Sequence, residues 1–124
     1  MTKPTEAELE ILRILWSKGP SNVRLVNDLI NESKETGYTT TLKIMQIMAQ
    51  KGLVLRDETS RTHIYLAAIE RGQVQSVMLD RVLDVAFGGS SSQLVLSALG
   101  RGKTSQEELN QIKELIKKLE DGNQ

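Results

Sequence analysis

Apolar positions follow a helical period through three successive segments near the start of the chain, and the period then shortens to two. In the first segment Leu9, Leu12 and Trp16 share a face, widened by Ile11 and Leu15. This predicts a helix from about Thr5 to Ser17, opened by a Thr5-x-x-Glu8 capping box and stopped at Gly19-Pro20. Ser21 is the expected cap of a second helix whose apolar face is Val23, Val26, Leu29 and Ile30. A polar loop through Gly37 leads to a third helix, Thr39 to Lys51, in which Thr41, Ile44, Met45 and Met48 point inward. Thr39, Lys43, Gln46 and Gln50 point outward, Ile47 sits at the margin, and Gly52 is a natural C′ residue.

Two β-rich runs come next, Leu53 to Arg56 and Thr62 to Leu66, joined by the polar loop Asp57-Glu58-Thr59-Ser60-Arg61. Helix, turn, helix, then a hairpin is the order of a winged helix-turn-helix. From Glu70 onward only helical patterns remain. Gln73 to Phe87 forms one helix, closed by Gly88-Gly89. Ser90 with Gln93 caps a short one through Leu99. Ser105 with Glu108 caps a last one to about Glu120, where Leu109, Ile112, Ile116 and Leu119 recur at helical spacing. The expected architecture is mainly α with a small β-hairpin wing. Residues 1–69 form a winged helix-turn-helix DNA-binding domain and residues 70–124 a helical dimerisation domain.

Dimerisation follows from core size. Three short helices with wide apolar faces and few aromatic residues can hardly enclose a core alone, and a second copy supplies the missing cover. Leu79, Leu83, Phe87, Leu94, Val95, Leu99, Leu109, Ile112, Ile116 and Leu119 are the expected interface residues.

Charge and composition sharpen the picture. The formal net charge is zero, which argues against a non-specific polycation but not against a sequence reader. Residues 1–68 carry nine Lys/Arg against eight Asp/Glu, and residues 69–124 seven against eight. The helix Thr39 to Lys51 nevertheless has no acidic residue, which suits the major groove of DNA. With no cysteine, a disulfide framework and a thiolate metal site are excluded. No apolar run is long enough to span a bilayer and the first residues do not read as a secretory signal, so a cytoplasmic protein without direct membrane contact is expected.

Candidate DNA contacts follow. Thr39 and Thr40 can bring hydroxyls and backbone N–H groups to a phosphate, with one of the three threonines expected to act as the helix cap. Lys43 and Gln46 are the base-edge candidates; their alternative is a solvated helix face. Arg61 and His63 on the wing can follow the backbone or the minor groove. Ser21 and Asn22 open the helix that crosses the backbone. Catalysis finds no support: one histidine, no cysteine and no glycine-rich phosphate loop leave no constellation, and no cofactor or metal is expected.

Five stretches carry a resemblance to the BlaI/MecI/CopY family, the penicillinase-repressor type of winged-helix regulator. The run from Ala7 to Trp16 resembles that family's opening helix. Tyr38-Thr39-Thr40 and Lys51-Gly52-Leu53-Val54 resemble the two ends of its recognition helix, and Phe87-Gly88-Gly89-Ser90 its glycine pair. Leu94-Val95-Leu96 and Ser105 to Leu109 fit its last helices. The resemblance implies a homodimeric transcriptional repressor that binds inverted-repeat operators in double-stranded DNA, relieved by a signal that no motif identifies. It supports Thr39 and Thr40 as DNA contacts. Three departures matter. Ile47 stands where many members carry arginine. The absence of cysteine excludes the thiolate copper sensing of some members. The bond matching the Asn-Phe bond cut in others by a membrane sensor-protease is Ser97–Ala98, the candidate regulatory cleavage position. The rival reading is a winged-helix protein–protein interaction module that does not read DNA, suggested by the neutral charge and by Ile47.

Overall fold

A computed structural model describes residues 3–122; residues 1–2 and 123–124, the outermost parts of the two expected segments, lie outside it. The element order is α1 (Glu6–Lys18), α2 (Val23–Ile30), α3 (Tyr38–Lys51), β1 (Val54–Asp57), β2 (Ile64–Ala67), α4 (Arg71–Phe87), α5 (Ser91–Gly100) and α6 (Gln106–Gly122). The fold is mainly helical, with a winged helix followed by a helical C-terminal unit. The chain divides into two compact units, Met1–Leu79 and Asp80–Gln124. That division falls inside α4, whose first residue, Arg71, lies over the Trp16 ring of α1 at 5.6 Å. Val74 is fully buried, and the Trp16 indole N–H donates to the Ile69 carbonyl at 3.0 Å.

Local chemistry explains the boundaries. The Thr5–Glu8 box closes reciprocally, at 2.9 Å from the Thr5 N–H to Glu8 Oε1 and 3.2 Å from the Glu8 N–H to Thr5 Oγ1. Gly19 ends α1 with φ of +80°, a conformation a side chain disfavours. α3 ends in a Schellman motif: the Gly52 N–H bonds Ala49, the Leu53 N–H bonds Met48 at 2.9 Å, and Gly52 is left-handed. Leu53 is thereby occupied in a cap, so β1 begins one residue later than the sequence pattern suggests. β1 and β2 pair antiparallel from Val54↔Ala67 to Asp57↔Ile64, leaving His63 in the loop. At the end of β1, Asp57 Oδ1 accepts from both the N–H and the hydroxyl of Thr59 in the loop, and these bonds hold its carboxyl below the usual range.

Two capping expectations need correction. α2 is capped by Asn22, whose Oδ1 accepts from the Leu25 N–H at 2.8 Å, and not by Ser21. Ser21 instead bridges to Tyr65 as a third β position, through backbone bonds of 2.9 and 2.8 Å. No threonine caps α3. Its N-cap is Gly37, which offers no side chain, so Thr39 and Thr40 lie in the first turn with their hydroxyls uncommitted to capping.

The core of the first unit joins Ile11, Leu12 and Leu15 of α1, Val23, Val26 and Ile30 of α2, Met45 and Met48 of α3, and Leu53, Val54 and Tyr65 of the wing. An isolated eight-residue helix such as α2 is marginal in water, so burial of this face is what holds it. Residues 80–122 contrast sharply: nothing in α5 or α6 is buried. Leu96 is 69% exposed, and Val85, Leu115 and Leu119 are likewise open.

Candidate nucleic-acid interface

α3 is held by its inner face so that its outer face is free. Thr41, Met45 and Met48 are buried, whereas Thr39, Thr40, Lys43, Gln46, Ile47 and Gln50 are exposed. The Thr41 hydroxyl donates to Asn27 Oδ1 at 2.7 Å, linking α3 to α2 inside the core. The turn between these helices is built around Asn31. Its amide N–H₂ donates to the carbonyls of Asn27 and Thr36 at 2.7 and 2.8 Å, and its Oδ1 accepts from the Thr36 N–H at 3.0 Å. The far end of α3 is tied to α1: Lys51 Nζ reaches Glu8 Oε2 at 2.8 Å, and the Glu8 side chain is almost fully buried. Burial pushes the Glu8 carboxyl up, but the Lys51 ammonium and the Thr5 hydrogen bonds outweigh it and hold the group below its ordinary value.

Beside the exposed face of α3 lies an open concavity of about 330 Å³ between the start of α2, α3 and the wing. Asn22, Gln46, Arg61 and His63, all expected contacts, line it together. So do Arg24, Tyr38 and Arg56, which were not among the expected contacts. The lining includes three arginines and no acidic side chain. The Arg24 guanidinium stacks over the Tyr38 ring at 4.9 Å, which orients the cation at the junction of α2 and α3. Arg56 is held by Glu58 on the wing; the Tyr65 phenol beside it and that carboxylate raise its guanidinium above the usual range. Arg24 carried a signal in the sequence, as a basic residue three places after Ser21, the expected cap of α2. Its pairing with Tyr38 spans the turn and shows only in three dimensions.

Not every expected contact lies here. Thr39, Thr40 and Lys43 are exposed on α3 but outside the concavity. Ser21 is 2% exposed and its hydroxyl donates to the Gly19 carbonyl at 2.8 Å, so its side chain is not available to a duplex. Among the described residues there is no group of His, Asp and Glu suited to a metal ion, and no single helix is long and apolar enough to cross a membrane.

Leu79, the last residue of the first unit, is exposed, as are Val95, Ile116 and Leu119 of the second, while Leu83, Phe87, Leu94, Leu99, Leu109 and Ile112 are half-buried. Val85, Leu96 and Leu115 are further exposed apolar residues, outside the set of expected interface residues. Ser97 and Ala98 are exposed within the regular helix α5.

Comparison with known proteins agrees with this architecture. The Transcriptional regulator BlaI of Mycobacterium tuberculosis (strain ATCC 25618 / H37Rv) is 26% identical, over 98% of this chain and 88% of its own length. The Penicillinase repressor of Bacillus licheniformis is 25% identical, over 90% of this chain and 88% of its own. The Methicillin resistance regulatory protein MecI of Staphylococcus aureus (strain N315) is 19% identical, over 92% of this chain and 93% of its own. The penicillinase repressor family profile matches residues 4–118, nearly the whole of the chain, and the protein belongs to that family of transcriptional regulators.

Proposed function

We propose that this protein is a dimeric repressor that binds an inverted-repeat operator in double-stranded DNA. The observation that carries the reading is the acid-free outer face of α3 beside a concavity lined by Arg24, Arg56 and Arg61. In this reading residues 1–69, with the first turns of α4, read the duplex. Thr39, Thr40, Asn22, Arg24, Arg61 and His63 meet phosphates and sugars, and Lys43 and Gln46 meet base edges. Residues 70–124 join two copies through the apolar residues that α4, α5 and α6 leave uncovered. The two recognition helices then enter successive major grooves about 34 Å apart. The protein acts in the cytoplasm, where its operator is. Relief of repression follows from loosening of the dimer or from cleavage at Ser97–Ala98 by a sensor-protease, which must first open α5.

The test is selection of the full chain on a pool of random duplexes at near-physiological salt, with sequencing of the bound fraction. Enrichment of an inverted repeat supports the reading. Weak binding without an enriched motif favours the second reading, an interaction module, which the exposed Ile47 on α3 supports.

A further inference from the structure

Ile47 is the odd member of the outer face of α3. It is 37% exposed, and its exposed neighbours one turn away on either side are Lys43, Gln50 and Lys51, with Thr40 two turns back. Those neighbours can donate or accept hydrogen bonds; an isoleucine cannot. The core does not hold it either, since Met45 and Met48 of the same helix fill that role with no exposed surface. An apolar side chain amid hydrogen-bonding groups on a groove-facing helix has one matching feature in the major groove, the C5-methyl of thymine.

We propose that Ile47 is a specificity-determining residue that packs against a thymine methyl in each half-site, an inference that rests on the DNA-reading function above. Lys43 and Gln46 address hydrogen-bonding edges, and Ile47 selects the step beside them by excluding water from the methyl group. The same contact disfavours cytosine there, whose exocyclic amine would lose its hydration against the isoleucine without gaining an acceptor.

The test uses the full chain and the duplex enriched by selection, remade with each thymine replaced in turn by deoxyuridine, which removes only the methyl group. Wild-type protein is expected to lose about fourfold in affinity at one position of a half-site, and on the order of tenfold or more when both half-sites are changed. Ile47→Ala is expected to bind the thymine and deoxyuridine duplexes equally, with Ile47→Val between the two. Both substitutions lie on an exposed face, and circular dichroism with a melting curve verifies that the variants are folded. Equal losses in wild type and Ile47→Ala, or no loss at any thymine, overturn the role of Ile47 while leaving operator binding intact. If no duplex is bound in preference to random sequence, the DNA-reading function fails and this inference with it.

Discussion

The Thr41 hydroxyl and the Asn27 amide oxygen meet at 2.7 Å with both residues buried, so a hydrogen bond inside the core ties α3 to α2. Thr41→Val keeps the shape but leaves the Asn27 oxygen unsatisfied. A loss of about 1–3 kcal/mol is expected. Adding Asn27→Leu removes the orphaned acceptor and should recover much of the loss. Urea midpoints of the three variants, taken at one protein concentration, check this. A Thr41→Val protein as stable as wild type would show that the bond adds nothing.

Glu8 couples the start of α1 to the end of α3 through Lys51. Its folded pKa is lowered, so the stabilisation is fully present above the unfolded value of about 4.3 and is lost as pH falls through the folded value. Wild type should therefore exceed Glu8→Gln in stability at neutral pH, by on the order of 1–2 kcal/mol. The difference should shrink once pH drops below about 4. Thermal melts of both proteins across that range provide the measurement; a constant difference would mean that the carboxylate charge is not the stabilising feature.

Arg24 should act as a phosphate contact positioned by the Tyr38 ring. Arg24→Ala is expected to weaken binding to operator and random duplex alike, and to reduce the slope of log affinity against log salt by about one. Tyr38→Leu should give a smaller loss, since the cation remains but is no longer oriented. Fluorescence anisotropy at several salt concentrations separates these outcomes. An unchanged salt slope for Arg24→Ala would remove it from the interface.

Lys43→Ala should behave differently, because a base-edge contact affects discrimination. The expected cost is about 1–3 kcal/mol on the operator, with relaxed preference at one position of each half-site. Competition with single-position operator variants reads this directly. Equal loss on specific and random DNA would make Lys43 another phosphate contact.

Leu96 and Ile116 leave much of their surface open in the single chain. Leu96→Asp and Ile116→Asp are each expected to shift the protein to monomers and to weaken operator binding, because paired half-sites need paired readers. Sedimentation velocity is the check, and an undisturbed dimer in both variants would place the interface elsewhere.

The sequence alone was sufficient for features set within a few residues. The Thr5–Glu8 and Ser105–Glu108 boxes, the Ser90 cap and the turn at Gly52 depend on neighbours three or four positions away, so the helices they bound were legible. The outward face of α3 was legible too, since helical periodicity sorts Lys43 and Gln46 from Met45 and Met48. Tertiary structure decided the rest. Ser21 looked like a cap and is buried against Tyr65, because a β-bridge to the distant wing takes its backbone and Asn22 supplies the cap one residue later. Gly37 opens α3 in place of a threonine, since the turn ordered by Asn31 brings the helix in one residue early. The Glu8–Lys51 pair and the Trp16–Ile69 bond join residues 43 and 53 positions apart. No local period encodes such contacts. Packing of the whole core selects them, and with them the concavity where Arg24, Arg56 and Arg61 come together.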